Sequence, residues 1–91
     1  MDAHEEQRLA QQLRAGSSQA WQALYDAFAE RIWRTVARRA GPQAADVADI
    51  VQETFLAAAR SARAYDADRG SLWLWLCGIA RNQAALFYRR R

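Results

Sequence analysis

The residues best equipped for chemistry crowd the last quarter of the chain. From Arg69 to Arg91 there are five arginines (Arg69, Arg81, Arg89, Arg90, Arg91), four aromatics (Trp73, Trp75, Phe87, Tyr88), Asn82 and no acid. Guanidinium groups fork onto phosphate oxygens and set both the affinity and the salt dependence of polyanion binding. Exposed rings stack on unpaired bases, and an asparagine amide pairs with a base edge. Together they favour single-stranded or opened nucleic acid over intact duplex. The preceding window, Asp46 to Asp68, is the reverse, with five acids against two arginines, net −3. A chain of formal charge +3 thus holds an acidic block followed by a basic one of +5. Such asymmetry suggests two different partners, one of them polyanionic.

Catalysis has little to stand on. There is no Gly-rich phosphate loop and no HExxH pair. The only histidine, His4, lies near the N-terminus, and with the single Cys77 it cannot complete a four-ligand zinc site. Asp46, Asp49 and Glu53 suggest part of a bundle metal site of the Glu-x-x-His kind, but no histidine accompanies them and a second carboxylate helix is missing. The expectation is a protein that is not an enzyme and needs no cofactor or metal. One cysteine excludes an internal disulfide and fits a reducing, cytoplasmic setting. The N-terminal MDAHEEQRL has acids where a signal peptide has an apolar run. No stretch approaches the about 20 apolar residues that span a bilayer, so no membrane contact is expected of this domain. All thirteen positive side chains are arginine, and alanine supplies 21 residues. GC-rich coding accounts for both, while a preference for Arg forks on phosphate would also enrich arginine.

Ninety-one residues make one domain, in which a chain of this size buries roughly 60–65% of its unfolded surface. Alanine favours helix, and with four Gly, one Pro and few β-branched residues there is little to build strands from. The expected fold is all-α, a compact bundle of three long helices plus one short N-terminal helix. The short helix covers 3–14, with Leu9 and Leu13 inside and Glu5, Glu6 and Arg8 on a solvated face. Gly16 ends it and a serine caps the next. The second helix, about 18–40, has an apolar stripe of Trp21, Leu24, Tyr25, Phe28, Ile32 and Val36. Trp33 falls off that stripe. Arg31, Arg34, Arg38 and Arg39 form a face that is either solvated or in contact with an anion.

Gly41-Pro42 breaks the second helix. The third runs from about 44 or 46 to 64, with Asp46 as N-cap. Val47, Ile50, Val51, Phe55, Ala58, Ala59 and Ala62 face inward. Asp49, Gln52, Glu53 and Leu56 share its outer face. Charges there need no partner but water; one exposed leucine among them points to something more. Tyr65–Gly70 reads as a loop, and Ser71 as the N-cap of a fourth helix running to the end, roughly 31 Å long. Its core side holds Leu72, Trp75, Leu76, Ile79, Gln83 and Leu86. Trp73 cannot share the face of Trp75, which leaves at least one of them at the surface or against the first helix.

Two strings, DVADIVQETFLAAAR and AYDADRGSLWLWLCGIARNQAALFYRRR, closely resemble conserved region 2 of bacterial sigma factors of the sigma-70 family, extracytoplasmic-function (ECF) branch. Upstream, LYDAFAERIWRTVARR looks like region 2.1. The resemblance implies a domain of transcription initiation divided as about 18–40 (region 2.1-like), 46–64 (region 2.2) and 65–91 (regions 2.3 and 2.4). By it, Asp49, Gln52 and Glu53 match a D-x-x-Q-E motif that docks on the β′ clamp coiled coil of RNA polymerase core, with Leu56 adding apolar area. The loop carrying Tyr65, Asp66, Asp68 and Arg69 would help capture a flipped base of the promoter −10 element, in a pocket lined by Asn82. Arg81 and Arg89, Arg90 and Arg91 would contact the non-template strand. Trp73 would stack at the edge of the opened duplex or pack against the first helix.

The chain departs from the family at Leu86, often polar, and at Gly78, often larger and basic; Gly78 costs the helix about 1 kcal/mol against alanine. No region 4, the helix-turn-helix that reads the −35 element in complete ECF factors, follows Arg91. Either this is one domain of a longer protein, as expected, or the protein lacks that module. An anti-sigma factor is an expected partner. The alternative function is a sigma-like interaction module, a decoy or anti-sigma-bound regulator, without promoter-opening activity.

Overall fold

The computed structural model describes residues 1–41 and 43–90. Its elements are α1 (Ala3–Arg14), α2 (Ser18–Ala40), α3 (Ala44–Arg60), two short 3-10 turns (Ala62–Ala64 and Ala67–Arg69) and α4 (Leu72–Arg89). The all-α bundle is as expected, with no strand among the described residues.

Local chemistry sets most helix ends. Asp2 caps α1 by accepting from the Glu5 N–H, Ser17 caps α2 through Ala20, and Ser71 caps α4 through Leu74. Each satisfies a donor that the first helical turn leaves orphaned. At the end of α1 the chain turns back in a Schellman motif, Gly16 N–H to the Leu13 carbonyl and Ser17 N–H to that of Gln12. Gly16, at φ +82°, is the left-handed residue this turn requires. Gly41 caps α2 at φ +84°, while Pro42 of the expected breaker lies outside the described residues.

The third helix differs from expectation in its cap and in its end. The third helix starts at Ala44 with Gln43 at the cap position, so Asp46 lies in the first turn instead of capping it. Ala44 and Ala45 add two helical residues ahead of Asp46, which still faces the positive end of the dipole. The helix also stops at Arg60, not at residue 64. Ser61 folds its N–H and hydroxyl back onto the Ala57 carbonyl, and the chain tightens into a 3-10 turn.

Each of α2, α3 and α4 packs against the other two, and α1 lies across α2 and the 3-10 turns. Leu24, Ile32, Ile50, Leu72 and Leu76 are fully buried at the centre. Thr54, also fully buried, was not anticipated. Its hydroxyl donates to the Ile50 carbonyl at 2.7 Å, which removes the penalty of a dry polar group. The inner column of α2 is Ala20, Leu24, Phe28, Ile32 and Val36. Tyr25, expected in the core, is 48% exposed, because it sits one 100° step round from Leu24 and leans its ring on Phe55 instead. Trp21 is half-buried and Ala59 exposed, again at the rim; on α4, Trp75, Ile79, Gln83 and Leu86 are half-buried, with Ala80 and Ala84 completing the inner face.

Candidate polymerase and nucleic-acid interfaces

Asp49, Gln52, Glu53 and Leu56 are all exposed along one side of α3, as their three- and four-residue steps require. Leu56 exposes 44% of its surface. Beside it runs an apolar groove of about 630 Å³ between α2 and α3, walled by Trp21, Tyr25, Trp33, Val51, Phe55 and Leu56. The sequence pattern placed Tyr25 inside and left Trp33 unassigned; both belong to this groove. On the other flank a hollow of about 60 Å³ is lined by Asp49, Glu53, Gln83, Leu86, Phe87 and Arg90. Arg90 therefore lies beside the acidic face.

The turn between α3 and α4 is held by its own polar groups. Tyr65 is 4% exposed, so its side chain is spent on structure. The hydroxyl donates to the Gly70 carbonyl at 3.1 Å, closing the loop, and the ring lies 5.2 Å from that of Trp75. Burial pushes the phenol pKa up; the negative charge of Glu6 adds to this, Arg14 opposes it, and Asp66 adds again. Asp66 accepts from the Asp68 N–H at 2.9 Å and pairs loosely with Arg69 at 3.8 Å. That pair is open to water and contributes little. Gly70 has φ +150° and ψ 174°, a backbone conformation confined to glycine.

Between this loop and α4 lies a hollow of about 310 Å³, with Tyr65, Asp66, Arg69, Gly70, Leu74 and Trp75 among its walls. Its size falls at the lower end of the about 300–1,000 Å³ of clefts that hold small ligands. Asp68 is not among these walls and faces a second hollow shared with α1. Asn82 does not line the first hollow either. It is exposed on the same side of α4 as Trp75, two helical turns or roughly 10 Å further along.

Trp73 packs on α2, not on α1. Its ring stacks on Phe28 with centroids 6.1 Å apart and planes at 25°, and the Arg31 guanidinium lies 4.0 Å above it. Arg31, Arg34, Thr35, Arg38 and Trp73 enclose a basic hollow of about 150 Å³ in the α2–α4 seam. Arg34 is paired with Glu30 on its own helix. Cys77, one turn beyond Trp73, is half-buried and its thiol pKa is raised by desolvation, against the lowering pull of Arg31, Arg81 and Arg39. The arginines of α2, in the sequence a face either solvated or in contact with an anion, thus join Arg81 around one side of α4. Only the tertiary fold brings them together; the arginine spacing along α2 was the one sequence signal. Arg89 is exposed at the end of α4, and Arg91 lies outside the described residues.

Because α2, α3 and α4 form a triangle, the outer face of α3 points away from the α2–α4 seam. Asp49, Glu53 and the apolar groove lie on one side, and Arg31, Arg34, Arg38 and the stacked Trp73 on the other. Against known families, the model of sigma-70 region 2 matches residues 24–91, three quarters of the chain. The chain belongs to the sigma-70 region 2 family. Membership places it in transcription initiation, among factors that engage RNA polymerase core and promoter DNA, and outside the enzyme families. The match includes α3, the loop and α4, and leaves out α1 and the first turns of α2. Neither the curated proteins nor the solved structures compared with the chain match it. Among the described residues no helix is long and apolar enough to cross a membrane, and no cluster of three metal-ligating side chains occurs.

Proposed function

We propose that this domain docks on the β′ clamp coiled coil of RNA polymerase through the outer face of α3 and captures the opened −10 element on the opposite side. The observation that carries the reading is the segregation of charge onto two sides of one bundle. Asp49, Gln52 and Glu53 supply polar contacts to the clamp, and Leu56 with the adjoining α2–α3 groove supplies apolar area for a helical partner. On the far side, Arg31, Arg38 and Arg81 hold non-template phosphates. The loop hollow accepts an extruded base, and Asn82 reads a neighbouring nucleotide two turns along the strand path. Unstacking a base costs a few kcal/mol, which hollow and phosphate contacts offset together.

The division into region 2.1 (about 18–40), region 2.2 (46–64) and regions 2.3 and 2.4 (65–91) belongs to this reading. So do the ECF assignment, an anti-sigma partner and action in the cytoplasm. Arg89 and Arg91 tether the strand, whereas Arg90 lies nearer the clamp side. Reversal of charge in an Asp49→Arg/Glu53→Arg pair is expected to weaken co-purification with core polymerase at least about tenfold, since charge complementarity at an interface is then inverted. Undiminished co-purification overturns the docking face. Asn82→Ala is expected to lower promoter opening, followed by permanganate footprinting, with polymerase binding intact; normal opening removes Asn82 from base reading.

A further inference from the structure

The loop that the proposed function relies on is gripped at both ends by a helix that the family match leaves out. At its start, the Arg14 guanidinium donates to the Tyr65 carbonyl. At its end, the Glu6 carboxylate accepts from the Leu72 N–H at 3.2 Å. Both bonds bridge residues more than fifty positions apart, and both come from α1. Glu6 is half-buried, a correction to its expected place on a solvated face. It continues the buried stripe of Leu9, Ala10 and Leu13 one turn toward the N-terminus, where those apolar contacts hold it against the first turn of α4.

The Leu72 N–H is one of the donors that the start of α4 leaves without an intrahelical partner. A carboxylate is the acceptor that suits the positive end of the dipole there. Ser71 takes the Leu74 N–H from within the loop, so an internal cap and an external one fix the same helix start. Tyr65 closes the ring from inside through its hydroxyl on Gly70. A hollow of about 320 Å³ walled by Glu6, Gln7, Tyr65, Asp68, Gly70 and Ser71 separates α1 from the loop. Between the two anchored ends, α1 also lies close to the 3-10 turn Ala67–Arg69.

We propose that α1 sets the conformation of the 65–70 loop, with Glu6 and Arg14 as positioning residues that fix its two ends and so shape the hollow that takes the extruded base. The inference rests on the reading of that hollow as the base-capturing element. It gives α1 a role in specificity, at a distance from the nucleotide, through charge-assisted hydrogen bonds to backbone.

Two measurements on a Glu6→Ala/Arg14→Ala pair test it. Hydrogen exchange in the free chain is expected to accelerate about tenfold at Leu72 and through residues 65–70, the loss of a charge-assisted bond at each end, with α3 unchanged. If the pair fails to fold, Arg14→Ala alone is expected to loosen Tyr65 and Asp66 in the same direction. The second measurement loads the chain onto core polymerase and sequences a pool of random single-stranded DNA oligonucleotides before and after capture. The alanine pair is expected to flatten base preference while total uptake and polymerase binding hold, and Glu6→Gln/Arg14→Lys to restore it. Unchanged exchange, or a preserved preference in the folded alanine pair, overturns the inference. If the wild-type chain itself shows no base preference and Asn82→Ala changes nothing, base capture fails, and the consequence drawn here falls with it. The exchange data then still show whether α1 holds the loop, which keeps the two failures apart.

Discussion

The outer face of α3 is made by one helix, from four side chains on successive turns, and it needs nothing from elsewhere in the chain to exist. The surface proposed for nucleic acid is assembled: arginines from one helix, a tryptophan and an arginine from another, and, on a separate face of α4, a loop whose ends are held by a third. The first kind of surface survives as long as its helix does. The second depends on angles between elements, and a small shift of α1 or α4 changes it. A domain bound to one constant partner and one variable sequence has use for that difference. In the proposed reading, the face offered to polymerase is fixed by the helix itself, while the face offered to nucleic acid depends on how its loop is held.

The largest expected effect removes what the two surfaces share. Leu76 is fully buried on α4, the helix that packs on both α2 and α3, and Leu76→Ala is expected to cost about 2–5 kcal/mol through lost burial and a residual cavity. In a small domain, whose total stability is on the order of 5–15 kcal/mol, both faces should weaken together. Urea unfolding followed alongside polymerase and DNA binding checks this; loss of one face alone would mean that they fold separately. A smaller effect separates them. Gly70→Ala forces a side chain into a conformation reserved for glycine, at a cost of about 1–3 kcal/mol, although the new Cβ would meet Leu74 only at an ordinary 3.6 Å. The loop should yield and base-selective DNA capture fall, while co-purification with polymerase stays as it was. A parallel fall in polymerase binding would erase the distinction between the faces.

The same contrast decides what could be read from the chain alone. Helix ends with local caps, Gly16 and Ser71 among them, were legible because the atoms involved are a few residues apart. So was the α3 face, since helical period alone puts Asp49, Gln52, Glu53 and Leu56 together. The cap of α3 misled, because an aspartate is both a good cap and a good first-turn residue, and Ala44-Ala45 tipped the balance. Tyr25 misled because an apolar stripe has edges, and its spacing does not say which member sits at the rim. Glu6 was hidden by its charge, although its position on the Leu9–Leu13 stripe was inward. The links from Arg14 to Tyr65 and from Arg31 to Trp73 are tertiary, and no local pattern encodes them.

The smallest effect tests whether the seam belongs to the nucleic-acid face at all. Arg31 and Arg38 border the basic hollow beside Trp73, and neither is in the core. Glutamine keeps their helix propensity and removes their charge. If each guanidinium neutralises one phosphate, an Arg31→Gln/Arg38→Gln pair lowers the slope of log affinity against log salt by about 0.7 per contact on single-stranded DNA. Base preference should not change, because phosphates carry no sequence. Arg31 also covers Trp73, a cation–π contact of about 0.5–1 kcal/mol at an exposed site, so a small loss of stability is expected as well. Fluorescence anisotropy of a labelled oligonucleotide across a salt series separates these effects: stability shifts the whole line, whereas lost phosphate contacts tilt it. A line that keeps its slope would return the α2 arginines to solvent and leave α4 and its loop as the whole of the DNA surface.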